Sequence, residues 1–243
     1  MKDISIIIPC FNEEENVKRI PVELIQEVNK LKLDYEIVTV NDGSTDNTFE
    51  ELEKIQKIHP MLKIVNHQKN KGLAAAIKTG IDNATGELTV TLDADFTFHP
   101  KQIKNLLDRF KQGDVDLVIG SPTLGKGYSK DIPRYRIWLS RMGGLLYQIA
   151  LGEKITAVTP IFRLYKTKKL KEIELNPNSS PRGGFSINAE ILAKLLIKKI
   201  RVAEIPAELT TRQYGESKLN NSKEIVTQLI LVMRIVWWRI TNK

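Results

Sequence analysis

Asp93-Ala94-Asp95 follows directly on the apolar, β-branched run Leu88-Thr89-Val90-Thr91-Leu92. Such a run reads as a buried strand, so the two acids stand at its carboxyl end, where open α/β sheets place their ligands. Alternate side chains of an extended backbone share a side, so Asp93 and Asp95 face one way and Ala94 between them leaves room for a ligand. Two hard oxygen donors suit a divalent cation such as Mg2+, held by one or two carboxylates while substrate phosphates complete its shell. The same residues also suit a plain turn, because Asp is common after strands.

A second polar cluster stands at another strand end. Glu36 to Val40 reads as a buried strand that runs into Asn41-Asp42-Gly43-Ser44-Thr45-Asp46-Asn47-Thr48, turn chemistry followed by a helix. Asp46 or Ser44 is placed to cap that helix. Asp42, at the strand end itself, is placed to accept hydrogen bonds from a nucleobase or ribose. The strand Ile4 to Ile8 repeats the arrangement with Pro9-Cys10-Phe11-Asn12-Glu13, so polar groups from separate strands face one crevice. Lys69-Asn70-Lys71-Gly72 precedes the strong helix former Leu73-Ala74-Ala75-Ala76-Ile77. A helix start after glycine offers backbone N–H groups to a phosphate or ribose with Lys71 close by, or else is a simple capping turn. Arg212 and Lys218 flank Gly215 beyond the last expected strand, either as cations that close over phosphates or as a solvated basic loop.

The elements that must position these groups alternate. Strands are expected near 4–8, 36–40, 62–65, 88–92, 115–120 and 201–210, with helices near 13–31, 46–58, 72–84, 100–111 and 186–198. This alternation predicts an α/β fold with a mostly parallel sheet and helices on both faces. Residues 121–135, with Pro122, Gly125, Gly127 and Pro133, read as a mobile loop, and a helix starts near Pro133. No repeat or linker divides the chain, so residues 1–222 are expected as one catalytic domain and 223–243 as an amphipathic terminal helix.

Taken together, Ile6-Ile7-Ile8-Pro9-Cys10-Phe11-Asn12-Glu13, Val40-Asn41-Asp42-Gly43-Ser44-Thr45-Asp46, Asn70-Lys71-Gly72-Leu73-Ala74-Ala75-Ala76 and Leu92-Asp93-Ala94-Asp95 resemble the inverting family 2 glycosyltransferases. Gly184-Phe185-Ser186-Ile187-Asn188-Ala189-Glu190, Glu204-Ile205-Pro206 and Arg212-Gln213-Tyr214-Gly215-Glu216-Ser217-Lys218-Leu219 resemble the branch that contains dolichol-phosphate mannose synthases and other polyprenyl-phosphate glycosyltransferases. The resemblance implies a Rossmann-like GT-A fold with a mixed sheet. It implies a donor site at Pro9, Asn12, Glu13, Asp42, Lys71, Gly72, Asp93 and Ala94, and Mg2+ or Mn2+ on Asp93 and Asp95. It also makes Arg212 and Lys218 phosphate contacts, and Arg136 and Ser140, four residues apart on one helix face, the holders of a lipid phosphate.

Three positions depart from that pattern. Thr97 stands where a metal-site glutamine is frequent, Pro122 where a phosphate-binding arginine follows Gly120-Ser121, and Ala157 where an acid precedes Phe162-Arg163.

The reaction these residues suit is transfer of a hexose from a nucleotide sugar, GDP-mannose or a UDP-sugar, to a polyprenyl or dolichyl phosphate. A phosphate oxygen is largely deprotonated near neutral pH and needs no strong general base. Transfer to a glycan or glycolipid hydroxyl would need one, and Glu190 is then the candidate. A non-catalytic nucleotide-binding subunit of a membrane complex is the alternative outside enzymes.

Composition narrows the partners. The chain has 243 residues, is 42% hydrophobic and carries a net charge of +8. Its Lys and Arg are dispersed rather than gathered in an aromatic-laced stripe, which argues against nucleic acid and for anionic headgroups and phosphates. Cys10 is the only cysteine, so a reducing compartment is expected, and Met1-Lys2-Asp3 leads straight into a strand, which predicts no signal peptide. His59, His67 and His99 lack metal-ligand spacing and read as structural or solvated. The apolar face of Lys223 to Lys243, with Trp237 and Trp238, predicts either peripheral binding at the cytoplasmic face of a membrane or packing on the domain or a small membrane partner.

Overall fold

A computed structural model describes residues 2–124, 134–175, 186–214 and 221–241, with the side chains of 134–141 and 221–226 left aside. In chain order the elements are β1 (Ile4–Cys10), α1 (Glu14–Val17), a π-helical turn (Ile20–Ile25), α2 (Gln26–Asn29), β2 (Tyr35–Asn41), α3 (Thr48–Ile58), β3 (Leu62–Asn66), α4 (Leu73–Asn83) and β4 (Leu88–Thr91). They continue with a 3-10 turn (Pro100–Gln102), α5 (Ile103–Phe110), β5 (Leu117–Ser121), α6 (Arg134–Leu151), β6 (Arg163–Lys166), α7 (Thr167–Lys171), α8 (Ser186–Ile197), β7 (Val202–Pro206) and α9 (Asn221–Thr241). The expected 201–210 strand is thus shorter, and residues 125–133 of the expected mobile loop lie outside the described residues.

The seven strands form one sheet in the order β3-β2-β1-β4-β6-β5-β7. β1 pairs parallel with β2 and β4, β2 with β3 and β5 with β7, whereas β6 runs antiparallel between β4 and β5. After β1 the chain winds outward to β2 and β3, then returns to place β4 on the other side of β1. The gap between the carboxyl ends of β1 and β4 is therefore the topological switch point, the usual ligand position of such sheets.

Alternation along β1 sends Ile4, Ile6 and Ile8 to one face and Ile7 to the other, and all four are fully buried. The first face packs under the helical segment 14–29, α3 and α5, through Val17, Leu24, Leu52 and Leu106. The second packs under α4, α6 and α8, through Ile77, Tyr147 and Leu192. Helices therefore cover both faces, as the element pattern predicts. α4 lies so close to β1 that a methyl group at Gly80 would come within 2.3 Å of Ile7 Cγ2. The helical segment after β1 is interrupted because Pro21 has no N–H to continue the α ladder, and a wider π turn takes its place.

α9 packs against α6 and α8 and adds Leu231 and Ile235 to the second core. Tyr147 donates from its hydroxyl to Gln228, and the Lys194 ammonium sits 5.2 Å from the centre of the Trp238 ring. The terminal segment thus docks on the domain by one face, while Leu229, Met233, Val236, Trp237 and Ile240 remain exposed.

At the amino end of the sheet, away from the switch point, Glu36 is completely buried. Its Oε1 accepts from Ser5 Oγ at 2.6 Å, Thr85 N at 2.6 Å and Thr85 Oγ1 at 2.9 Å, and Lys63 Nζ lies 2.5 Å from Oε2. Burial alone would raise this carboxyl, but Lys63, Ser5 and Thr85 outweigh it and hold the pKa down at about 2, below the ordinary 4.5. A depressed folded-state value stabilises the protein above pH 4.5, and that contribution drains away as pH falls toward about 2. Glu36→Gln is therefore expected to lose about 2–3 kcal/mol at pH 7 and little at pH 2, read from urea midpoints across that range. Asp116, also held down at about 2 by Lys166 and Arg201 against its burial, leaves a residual pH dependence in the variant. A variant as stable as the parent at pH 7 would contradict this account.

Candidate functional site

The loops after β1 and β2 are stitched together. Asn12 N donates to Ser44 Oγ at 2.9 Å, and Thr45 N returns a bond to Asn12 Oδ1 at 2.7 Å. Glu13 N donates to Thr48 Oγ1 at 2.8 Å and Glu14 N to Asp46 Oδ2 at 3.3 Å. The N-cap of α3 is Asn47, without a side-chain capping bond, so neither Asp46 nor Ser44 is the cap expected: Asp46 Oδ1 accepts from Thr48 N at 3.0 Å from one residue before it, and Ser44 serves the neighbouring loop. Asn12 adopts φ 53°, a left-handed conformation that Asn tolerates better than most residues. Pro9 lies within β1, opposite Val40 of β2.

Asp42 ends the same wall, 3% exposed. Its carboxylate accepts from Lys71 N at 3.0 Å and Gly72 N at 2.7 Å and bonds His67 Nδ1 at 2.7 Å. The backbone N–H groups of Lys71 and Gly72, expected to be open to a phosphate, are therefore taken by Asp42. A helix start next to an acid satisfies its donors internally. His67 Nε2 in turn meets Thr79 Oγ1 of α4 at 2.9 Å, so this histidine is a structural bridge. Gly72 has φ 91° and open space where a Cβ would stand, which leaves its backbone approachable from outside. Gly43, at φ 66°, lies so near Lys69 and Asn70 that a Cβ would come within 2.3 Å of the Lys69 carbonyl carbon.

The acid pair occupies a turn after β4. Phe96 N donates to Asp93 O at 3.2 Å, and Thr97 N to Asp95 Oδ1 at 3.0 Å, so Thr97 contributes its backbone to the turn. Phe96 adopts φ 51°, unfavourable for an aromatic residue, with its ring 2% exposed. Asp95 is 4% exposed, and Arg212 Nε, from the segment after β7, reaches its Oδ2 at 2.6 Å. The arginine arrives on a segment pinned by Glu208 N to Gln102 Oε1 at 2.7 Å and Thr210 N to Thr97 O at 2.9 Å. Burial pushes the Asp93 carboxyl well above the ordinary range, with Asp95 adding to it, Arg212 opposing and Glu13 adding again. Ala94, expected to leave room for a ligand, is instead 3% exposed and packs into the apolar core with Leu92, Phe96 and Phe98, because the chain turns there rather than running on extended.

Glu190, on α8 and 2% exposed, is paired with Lys194 Nζ at 2.7 Å one turn along the same helix. Arg136 and Ser140 belong to α6, but their side chains are outside the described residues, as is Lys218 altogether. Sequence reasoning missed a group beside β5 and β7. The Ser121, Thr123 and Thr156 hydroxyls bond one another, and Glu204 of β7 accepts from Thr156 N and from Ala157 N at 2.6 Å. A carboxylate thus reaches residue 157 from another strand, although the chain itself carries alanine there. Among the described residues no three or more His, Cys, Asp or Glu side chains are grouped to hold a metal ion.

Proteins of known sequence and structure resemble the chain to different extents. The chain is 34% identical over 239 residues to the dolichol-phosphate mannosyltransferase of Pyrococcus furiosus, covering 97% of this chain and 64% of that protein. It is 31% identical over 179 residues to an uncharacterised glycosyltransferase of Synechocystis, covering 72% of this chain and 54% of that one. The chain thus spans less than two thirds of the length of these curated relatives. Glucosyl-3-phosphoglycerate synthase from Mycobacterium tuberculosis, solved with Mn2+ and UDP-glucose, superposes with TM-score 0.67 at 16% identity, over 96% of this chain and 79% of that chain. S. aureus TarS 1–349 superposes with TM-score 0.61 at 17% identity, over 96% of this chain and 65% of that one. These likenesses show a GT-A glycosyltransferase fold. The family description Glycosyl transferase family 2 matches residues 5–174, a span that holds β1 to β6 and both acid turns, and the chain belongs to that family.

Proposed function

We propose that this protein is a metal-dependent inverting glycosyltransferase that moves a hexose from a nucleotide sugar to a polyprenyl phosphate. The observation that carries the reading is the meeting of Asp95 with Arg212 at 2.6 Å, across 117 residues of chain, at the switch point of the sheet. The 34% identity to a dolichol-phosphate mannosyltransferase supports a lipid-phosphate acceptor.

The donor set fits a divalent cation. Asp93 and Asp95 are hard oxygen donors on one turn with Glu13 nearby, and their excess negative charge is met by one arginine on Asp95. Mg2+ or Mn2+ held there with the diphosphate oxygens would supply the positive charge that a departing nucleoside diphosphate needs. Pro9, Asn12 and Glu13 form one wall of the donor crevice, and Asp42 with Lys71 and Gly72 the other. Arg212 turns from Asp95 to the diphosphate oxygens when donor arrives, joined by Lys218. Arg136 and Ser140 of α6 hold the acceptor phosphate. An oxygen of that phosphate attacks the anomeric carbon as the bond from that carbon to the diphosphate oxygen breaks, which inverts the centre. No group needs to remove a proton, and the pairing of Glu190 with Lys194 favours this acceptor over a sugar hydroxyl.

The test is transfer of label from GDP-mannose and a panel of UDP-sugars into organic-extractable lipid, with polyprenyl phosphate and Mg2+ or Mn2+. Label in the lipid names the sugar. No label from any donor would overturn the reading.

We further propose that the protein works on the cytoplasmic face of a membrane. Among the described residues no helix is long and apolar enough to cross one. Two exposed apolar stripes support surface binding: Met142, Leu145, Leu146 and Ile149 on α6, and Leu229, Met233, Val236, Trp237 and Ile240 on its neighbour α9. Replacing Met233, Trp237 and Ile240 by Glu leaves the inner face of α9 intact and is expected to abolish flotation with anionic liposomes. Unchanged flotation would remove the membrane assignment.

A further inference from the structure

We propose that Arg19 is a positioning residue for the acid turn. This rests on the donor-site reading above, and it concerns a side chain that meets the acid turn through the main chain of Asp95 rather than through its carboxylate. Arg19 lies where the helical segment after β1 passes into its π turn, with its side chain 12% exposed. Its guanidinium is fixed on several sides at once. Nε meets Glu23 Oε1 at 2.7 Å and Nη2 meets Glu23 Oε2 at 2.9 Å, a bidentate fork. Nη1 donates to Asn16 Oδ1 and to the main-chain oxygen of Asp95, both at 3.0 Å. The same group lies over the Phe96 ring, 5.3 Å from its centre.

Each contact bears on the geometry of the two acids. The Asp93–Phe96 turn depends on a left-handed Phe96, a backbone conformation unfavourable for an aromatic residue. Arg19 holds that conformation from both sides, by a hydrogen bond to the carbonyl of the residue before Phe96 and by stacking on Phe96 itself. Asn16 carries the restraint to the other wall, since its Nδ2 donates to Glu13 Oε2 at 2.6 Å and it is 2% exposed. A continuous series of bonds thus connects Glu13, Asn16, Arg19 and Asp95, and sets the spacing of β1 and β4 side chains across the switch point. Outer partners of this kind orient metal-holding carboxylates and commonly govern affinity by about 10- to 100-fold. The fork matters as well as the charge, because a lysine ammonium cannot serve Glu23, Asn16 and the Asp95 carbonyl in one plane.

The test uses Mn2+ as the probe, with the loss of its free electron-paramagnetic signal read on the full chain, alone and with GDP or UDP. Arg19→Met and Arg19→Lys are each expected to weaken Mn2+ binding about tenfold or more, while the folded fraction stays as in the parent. In the transfer assay both variants would need more Mn2+ for half-maximal rate with an unchanged KM for polyprenyl phosphate. If Arg19→Met does not fold, Arg19→Lys and Glu23→Gln carry the comparison. Parent-like Mn2+ affinity in folded variants, or full restoration by lysine, would overturn the assignment while leaving the donor-site reading in place. A parent protein that binds no Mn2+ with either nucleotide would overturn the metal reading itself, and this assignment with it.

Discussion

Asp95→Ala is expected to reduce lipid-linked transfer by about a thousandfold or more while leaving a folded protein. The carboxylate stands at the end of β4, paired with the Arg212 guanidinium, and it is nearly buried. Without it, charge developing on the leaving diphosphate loses its opposing ion, and Arg212 loses the partner that aims it. Interactions formed with transition-state charge in a water-poor site are worth about 3–4 kcal/mol each, which sets the scale. The effect on stability is smaller. Arg212 is 31% exposed and can turn to solvent, but Thr97 N also loses its acceptor on Asp95 Oδ1, so the unfolding free energy from urea titration should fall by about 1–3 kcal/mol. The discriminating pair of measurements is lipid-phase label against urea unfolding. More than a tenth of parent activity in a folded variant would sink the assignment of Asp95.

Asp42→Ala is expected to be costly in the opposite sense, through stability and donor affinity rather than the chemical step. The alanine leaves the N–H groups of Lys71 and Gly72 and the ring of His67 without the acceptor they now share. Lys71 is exposed and Gly72 half-buried, so water can replace part of what their N–H groups lose, while His67 is buried. An orphaned buried donor costs about 1–3 kcal/mol, and about 2–3 kcal/mol overall is expected. The loop at 69–72 would loosen, raising the donor KM more than it lowers kcat. His67→Ala should reproduce part of the stability loss, with a coupling energy to Asp42 of about 1 kcal/mol or more in a double-mutant cycle. A urea midpoint unchanged by Asp42→Ala would show that the loop is held by something else.

Strand ends were legible in the sequence because β-branched, apolar runs stop abruptly at Pro9, Asn41 and Asp93, and a parallel sheet gathers such ends on one edge. β6 was not, since Arg163-Leu164-Tyr165-Lys166 is short and bounded by cations, and nothing local indicates that Arg163 is fully buried. Its two terminal nitrogens donate to the main-chain oxygens of Asn188 and Val158, contacts that only the tertiary fold provides. The partners of Asp42 escaped for the same reason, being donors about 30 residues away in sequence. Arg19 lies in a segment crowded with charge, Glu13-Glu14-Glu15-Asn16-Val17-Lys18-Arg19, where an arginine reads as solvated surface. The break at Pro21 was the available signal, because a helix that widens there turns its neighbours toward an unusual direction.

The reversed course of β6 has a consequence for which loops reach the crevice. In a wholly parallel sheet only segments that follow strands arrive at the ligand edge. Here Arg163 pairs with Thr91 at the end of β4, so the segment that precedes β6, including Ile161 with its carbonyl on Thr91 Oγ1, arrives at that edge as well. That stretch is anchored there, with Ile155, Ala157, Val158 and Ile161 in the second core and Thr156 and Ala157 held by Glu204, so the reversed strand brings a rigid wall, rather than a free loop, to the ligand edge.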